Sequence, residues 1–246
     1  AWANTDVDTA APDDPLQIAY ADLDLDGDLD LVRGSDDGAV PSVGAYENDG
    51  TPFTGAWSSS TVGDGPEARG IAVADFDRDG YPDVVVCGGP DDQVRVYEND
   101  GTPFDGGWGD FLLYSTADTC NRVVPADFDN DGDVDVVITT AADAAEVIVL
   151  ENNGAPFSGT WAAQTIDNVA GANDGHDLQV ADIDLDGWPD VIALIQGAED
   201  LIWYLNDGTP FDAEWSAYTI DATAGTIGWQ TDGRTQGGIE IGDLDS

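Results

Sequence analysis

Aspartates at alternate positions define a nine-residue segment, Asp-x-Asp-x-Asp-Gly-x-x-Asp, that occurs four times in the chain. The carboxylates at positions one, three, five and nine can surround one hard cation, and the residue at position seven can add its backbone carbonyl oxygen. Calcium prefers such oxygen-rich ligand sets, whereas without a cation the carboxylates would repel one another. We therefore predict four calcium sites, the alternative being solvated acidic turns. The predicted ligands are Asp22, Asp24, Asp26, Asp28 and Asp30; Asp75, Asp77, Asp79, Tyr81 and Asp83; Asp127, Asp129, Asp131, Asp133 and Asp135; and Asp182, Asp184, Asp186, Trp188 and Asp190, where Asp28, Tyr81, Asp133 and Trp188 contribute only their carbonyl oxygens.

The flanking residues exclude the helix-loop-helix calcium site. An EF-hand needs a glutamate at loop position twelve, where this chain has Arg33, Val86, Ile138 and Ala193. Short apolar runs rich in β-branched residues lie on both sides of each segment, which is typical of strands and too short for buried helices. We therefore predict that each loop joins two strands of a hairpin. The runs are Ile18–Ala21, Ile71–Ala74, Val123–Ala126 and Leu178–Ala181 before the loops, and Leu31–Val32, Val84–Val86, Val136–Ile138 and Val191–Ile195 after them.

A second motif recurs with the first. It reads YENDGTPF at Tyr46 and Tyr97, LENNGAPF at Leu150 and YLNDGTPF at Tyr204, and a tryptophan follows four residues after each phenylalanine. The Asn/Asp-Gly pairs predict turns, and we expect the phenylalanines and tryptophans to pack in the core. Each period of about 53 residues then holds four short strands, which indicates an all-β β-propeller of four-stranded antiparallel blades. The predicted blades are 16–65, 66–116, 117–171 and 172–224.

Partial repeats are expected at both ends of a single propeller or propeller segment covering 1–246. An outermost strand is predicted at Trp2–Val7 and an innermost strand at Ile239–Gly242, in partial-blade segments 1–10 and 235–246. A fifth loop begins at Asp243 and holds only Asp245 besides, so we expect it to bind calcium weakly or not at all. The terminal strands either share an incomplete fifth blade or belong to a fragment of a larger propeller, and we favour the fragment.

Composition narrows the range of partners. The formal net charge is −45, with 51 acidic residues against six arginines. Phosphate binding needs the opposite sign, so nucleic acid is excluded as an expected partner. No apolar run is long enough to span a membrane, and no signal peptide is recognisable, so the chain reads as a mature or trimmed piece. Cys87 and Cys120 flank successive repeats and could form a disulfide, the alternative being two buried thiols.

The paired motifs resemble FG-GAP/VCBS repeats, the family that includes the integrin α-subunit propeller. The resemblance rests on ADLDLDGDLDLV, VADFDRDGYPDVVV, PADFDNDGDVDVVI and VADIDLDGWPDVIA, together with the YENDGTPF-type turns. It implies calcium at the loop positions named above, a seven-bladed parent in many members, and a secreted or surface-attached protein in adhesion or glycan recognition. The Phe-Gly start of the FG-GAP signature is absent, which favours the VCBS branch.

Several residues outside the loops could bind a ligand. Arg69, Arg122, His176 and Arg234 lie at nearly equivalent places before the innermost strands and could together recognise an anionic sugar or carboxylate, since arginine binds carboxylates through two hydrogen bonds. Alternatively, each arginine pairs with a nearby aspartate. Trp229 could stack on a sugar ring or simply anchor its loop.

Neither composition nor motifs suggest an enzyme. The chain has one histidine and no recognisable nucleophile motif, and no carboxylate pair can be singled out from the 51 acidic residues. Two functions are left open. One is a calcium-stabilised extracellular module that binds a glycan or a protein. The other is a structural unit of a surface layer, stalk or filament that self-associates without a small ligand.

Overall fold

The computed structural model describes residues 7, 15–35, 42–53, 57–63, 67–88, 92–141, 144–170, 174–196, 200–212, 215–221 and 239. These residues form sixteen β-strands, and no helix occurs among them. None of these elements is therefore a helix that could cross a membrane. The all-β prediction is confirmed. The predicted strands Trp2–Val7 and Ile239–Gly242 and the incomplete loop at Asp243 lie outside the described residues, except for Val7 and Ile239.

The strands form four separate four-stranded antiparallel sheets, and each sheet follows the order of its strands in the sequence. Each is therefore a propeller blade, as predicted. The apolar runs on either side of every aspartate-rich loop are the first two strands of a blade. The strands are β1 Pro15–Ala21, β2 Asp30–Ser35, β3 Val43–Glu47 and β4 Ser58–Gly63; β5 Gly70–Ala74, β6 Asp83–Gly88, β7 Gln93–Glu98 and β8 Gly109–Ser115; β9 Thr119–Ala126, β10 Asp135–Ala141, β11 Ala144–Glu151 and β12 Ala162–Ala170; and β13 Asp174–Ala181, β14 Asp190–Gln196, β15 Asp200–Leu205 and β16 Ser216–Asp221.

The chain divides into two compact units. The first comprises Ala1–Ser115 and Ala155–Thr160, and the second comprises Thr116–Gly154 and Trp161–Ser246. In the first unit, Leu23 and Val32 of one blade pack with Ile71 and Val84 of the next. In the second, Phe128 and Val137 pack in the same way with Leu178 and Val191. The alternating apolar residues of the strands thus bury one blade against its neighbour within each unit.

The recurrent aromatic residues mostly pack as expected. Trp161 and Trp215 are buried, and Phe104 and Trp108 pack against the core of the first unit. Each tryptophan lies one residue before the last strand of its blade rather than inside it. The prediction is wrong for Phe53, which is 70% exposed. A repeat makes positions equivalent in sequence, but burial depends on how closely the neighbouring elements cover each position.

Candidate metal centres

The four aspartate-rich segments are the turns of four β-hairpins. They join β1 to β2, β5 to β6, β9 to β10 and β13 to β14, and we call them loops one to four. The residue at position four is left-handed in every loop, with φ between 55° and 64° at Leu25, Arg78, Asn130 and Leu185. Because this conformation costs a non-glycine residue about 1–2 kcal/mol, other interactions must hold the loop in shape.

Backbone amides of each loop hold its carboxylates. The amide of the position-six glycine donates to Oδ2 of the position-one aspartate at 2.9–3.0 Å in all four loops. The amide of residue five donates to the aspartate at position three at 3.1–3.2 Å. The amide of residue seven donates to the aspartate at position five at 2.8–2.9 Å. These bonds turn the carboxylates inward and offset the strain at position four.

The aspartate at position nine begins the second strand of each blade and is at most 1% exposed. Its Oδ2 accepts the backbone amide of residue two of the loop at 2.9–3.0 Å. Its Oδ1 accepts the backbone amide of an asparagine in the turn after the third strand, at 2.8–2.9 Å. The carboxylate at position nine therefore connects the start of its loop to the turn after the third strand. The aspartates are Asp30, Asp83, Asp135 and Asp190, and the asparagines are Asn48, Asn99, Asn152 and Asn206.

The structure brings together three of the predicted carboxylates in each loop. Oxygen atoms of the aspartates at positions one, three and nine lie within 4.8 Å of one another, a spacing that could hold a metal ion. The carboxylate at position five lies outside this group. The triads are Asp22, Asp24 and Asp30; Asp75, Asp77 and Asp83; Asp127, Asp129 and Asp135; and Asp182, Asp184 and Asp190.

The position-one carboxylates carry an oxygen with no partner in three of the loops. Oδ1 of Asp22, Asp75 and Asp127 is buried, and no hydrogen-bond donor from the described residues reaches it. A buried carboxylate oxygen without a donor is costly, and a bound cation would satisfy it. Loop four differs, because Oδ1 of Asp182 accepts the amide of Asp186 at 3.0 Å and the triad is more exposed.

Electrostatics also fit a cation. Burial raises the pKa of the position-nine carboxyl to about 6 in Asp30, about 7 in Asp83 and about 8 in Asp135, and neighbouring aspartates raise it further while backbone donors lower it. Burial likewise raises the pKa of Asp190. The charged form of each of the first three carboxylates is thus disfavoured both by burial and by the two aspartates beside it. A divalent cation would stabilise the charged form, so the donor set fits a hard metal ion.

These raised pKa values predict a pH dependence of opposite sign with and without metal. A carboxyl whose pKa rises on folding stabilises the folded state below its unfolded pKa of 3.8, and that stability is lost as the pH rises to about 8. Metal binding instead strengthens as the carboxyls ionise. We expect the melting temperature of the metal-free protein to fall between pH 5 and pH 8. Over the same range, the rise in melting temperature that calcium causes should become larger.

Thermal melts across this range in 1 M NaCl test the prediction, because salt screens the surface charges and leaves the buried carboxyls largely unscreened. A rise in melting temperature on adding calcium that is the same at pH 5 and pH 8 would contradict the prediction.

The asparagines of the second motif, which the sequence pattern indicates only as turn residues, are also part of each site. Asn99, Asn152 and Asn206 are at most 2% exposed. Besides the backbone bond to position nine, the side-chain amide donates to the carbonyl of loop residue eight at 3.1–3.2 Å, and its oxygen accepts the following glycine amide. The available signal was that asparagine occurs in all four copies, whereas the next position holds both Asp and Asn.

In loops two and four, the aromatic side chain at position seven lies over the glycine of the turn that follows the third strand. A Cβ added at Gly101 would lie 2.7 Å from the Tyr81 ring, and one at Gly208 would lie 2.6 Å from the Trp188 ring. Both glycines also have positive φ, of 87° and 86°. The turn after the third strand therefore packs directly on the loop that holds the aspartates.

The candidate ligand-binding residues are only partly described. Nη2 of Arg69 lies 3.5 Å from Oε2 of Glu67, and Nε of Arg122 lies 3.5 Å from Oδ1 of Asp177, so both of these arginines pair with a nearby carboxylate. Trp229, Arg234 and the side chain of His176 lie outside the described part. Neither Cys87 nor Cys120 has a free thiol, and both are fully buried. The bond between these two cysteines stays a prediction.

The match to a known protein family covers three segments, each of which begins at an aspartate-rich loop. The model of the FG-GAP-like repeat matches residues 22–86, 75–138 and 127–193. A search of curated proteins gave no match. Among solved structures, BBS1N, crystallised in complex with ARL6DN and soaked with lead, is 16% identical over 85% of this chain and 57% of its own, with a TM-score of 0.47. A chain of the Tc holotoxin pore of Photorhabdus luminescens is 20% identical over 87% of this chain and 10% of its own, with a TM-score of 0.41.

Proposed function

Because the chain belongs to the FG-GAP-like repeat family, we propose that it is a calcium-binding propeller module that works outside the cell, in adhesion or in recognition of a glycan or protein. Calcium has a structural role in this proposal, and no catalysis is assigned to the chain. The observation that carries the proposal is the fourfold repetition of one site. Each site has three converging carboxylates, and in three sites a buried oxygen has no described donor.

The donor chemistry favours calcium over other ions. Every side chain predicted to contact the ion is a carboxylate, and no cysteine or histidine lies in the loops, so soft or borderline metals are disfavoured. Calcium takes six to eight oxygen ligands in flexible geometry, whereas magnesium demands a near-ideal octahedron and keeps several waters. Carboxylates one, three and nine would hold the ion. The carboxylate of residue five and the carbonyl of residue seven are the available further ligands.

The position of each site explains how the ion would stabilise a blade. The carboxylate at position nine is bonded to the loop and to the asparagine after the third strand. An ion shared by positions one, three and nine would therefore fasten the hairpin loop to the start of the second strand and, through the asparagine, to the next turn. It would also remove the cost of three adjacent negative charges.

The proposed calcium sites and the family membership both fit an extracellular setting. Calcium sites in extracellular modules are typically filled at 10⁻⁴–10⁻³ M calcium, a concentration range that suits structural sites outside the cell. The net charge of −45 keeps the surface strongly acidic even with four ions bound. We propose that the partner is a glycan or an extracellular protein.

Calcium titration with determined stoichiometry tests the metal assignment. Isothermal titration of the dialysed full chain should give four sites per chain, and loop four should be the weakest because its triad is the most exposed. Asp129→Ala should reduce the count to three. Magnesium at the same concentrations serves as the control and should bind more weakly. The proposal would be overturned if the chain bound calcium no more strongly than it binds magnesium through nonspecific charge attraction.

A separate experiment tests the recognition role. Glycan-array binding of the calcium-loaded chain, weakened in Arg122→Ala, would support recognition by the arginine set. The matched control is Arg95→Ala, because Arg95 forms its ion pair with Asp110 on the outer strands of its blade. Ordered self-association on calcium addition, with no glycan bound, would instead support a structural unit of a surface assembly.

A further inference from the structure

The buried asparagine of the second motif reaches two metal loops at once. The backbone amide of Asn99 donates to Oδ1 of Asp83 in loop two at 2.9 Å. Its side-chain amide donates to the carbonyl of Leu23 in loop one at 2.8 Å. In the second unit, Asn206 makes the same pair of bonds, to Asp190 of loop four at 2.9 Å and to the carbonyl of Phe128 in loop three at 2.8 Å. The same bridge therefore occurs twice, once in each unit.

The far end of each bridge is a residue whose own backbone amide is bonded to a metal-site carboxylate. The amide of Leu23 donates to Oδ2 of Asp30 at 2.9 Å, and the amide of Phe128 donates to Oδ2 of Asp135 at 3.0 Å. Hydrogen bonds linked through two residues thus connect the position-nine carboxylate of one loop to that of the next. The linking residues are at most 2% exposed, and buried hydrogen bonds are stronger than those in water.

From this geometry we infer that the two metal sites of each unit are energetically coupled, with Asn99 and Asn206 as the positioning residues that carry the coupling. The inference rests on the proposed calcium function. An ion that orders loop one fixes the carbonyl of Leu23, which then holds Asn99 against Asp83. The second ion meets a loop that is already ordered, so less conformational entropy is lost when it binds. By linkage, each site raises the affinity of the other by the same factor.

The second unit has an additional link that the first unit lacks among the described contacts. Nδ2 of Asn130, at position four of loop three, donates to the carbonyl of Gly187 in loop four at 3.0 Å. The equivalent residue of loop one is Leu25, whose side chain has no donor. The coupling between loops three and four is therefore larger than that between loops one and two.

A double-mutant cycle on the full chain tests the coupling. In a background that carries Asp129→Ala and Asp184→Ala, only loops one and two remain to be titrated with calcium. Adding Asp24→Ala to remove loop one should weaken calcium binding at loop two by about 5-fold or more, the lower end of typical coupling factors. With Asn99→Ala also present, removal of loop one should change the affinity of loop two by less than 2-fold.

The matched control is Asn48→Ala. Asn48 makes the same bonds within its own blade, to Asp30, Leu29 and Gly50, and has no described bond to another loop. This variant should leave the coupling factor unchanged. If Asn99→Ala does not fold, Asn130→Ala offers an exposed alternative that should reduce the coupling between loops three and four.

Two results would overturn the inference, and they are distinguishable. Equal calcium affinity at loop two with and without loop one would show independent sites while leaving the calcium proposal intact. Absence of calcium binding in the unmodified chain would remove the proposed function itself, and the coupling with it.

Discussion

Removal of calcium should lower the melting temperature by about 5–10 °C for each site that was filled. An ion present at 100 times its Kd stabilises the folded state by about 2.7 kcal/mol. For a domain of 150–250 residues, 1 kcal/mol corresponds to about 2–4 °C. Four sites together would contribute about 11 kcal/mol, which is comparable with the whole stability of a typical domain. We therefore expect the chain to be largely unfolded in excess chelator at temperatures where the calcium-loaded chain is fully folded.

Thermal unfolding followed by circular dichroism measures this loss. The control must separate specific binding from screening, because any added cation weakens the mutual repulsion within a chain of net charge −45. NaCl at matched ionic strength and magnesium at matched concentration provide that control. Superposable melting curves in chelator and in calcium at 100 times its Kd would contradict the structural role of the ion.

Asp135→Ala should be the most damaging single substitution in the metal loops. The substitution removes a ligand of loop three. It also leaves the buried backbone amides of Phe128 and Asn152 without their acceptors, since they donate to the two oxygens of Asp135 at 3.0 and 2.8 Å. Loss of the ion costs about 2.7 kcal/mol at calcium of 100 times its Kd, and each buried amide left without an acceptor costs about 1–3 kcal/mol. We expect the free energy of unfolding in calcium to fall by about 5 kcal/mol or more, and the number of bound ions to fall by one.

Asp131→Ala is the matched control, because this residue lies in the same loop at the exposed position five. The described hydrogen bond of the Asp131 side chain is from the amide of Asp133, and its carboxylate lies outside the triad. The variant should therefore lose at most the contribution of the ion. Urea unfolding of both variants in calcium makes the comparison. Equal losses for the two would mean that the buried bonds of position nine add nothing to stability.

The position of each metal site between strands has a consequence for how a blade forms. The loop can reach its final shape only when residue nine is paired with the asparagine that follows the third strand, 16–18 positions later in the chain. The site is therefore assembled by the blade rather than by the nine-residue segment alone. An isolated loop peptide would have to order the same carboxylates without these partners, so the ion and the fold depend on each other.

Much of this protein could be predicted from its residues alone, because the decisive signals are local and repeated. The spacing of aspartates and glycine defines a turn that can hold a cation, and the apolar runs beside it can be only strands. Four copies at one period imply four equivalent units. Local geometry of this kind depends on neighbours within a few residues, which the sequence displays directly.

The tertiary structure alone decided which groups meet across the chain. It placed carboxylates one, three and nine together and left the carboxylate at position five outside the group. It buried Asn99 and Asn206 and bonded each of them to a loop residue more than 70 positions earlier in the sequence, although both had the appearance of ordinary turn residues. It also exposed Phe53, whereas the equivalent Phe104 and Phe211 pack on a core. Burial and long-range hydrogen bonds depend on how one blade packs against the next, and no pattern within a single repeat contains that information.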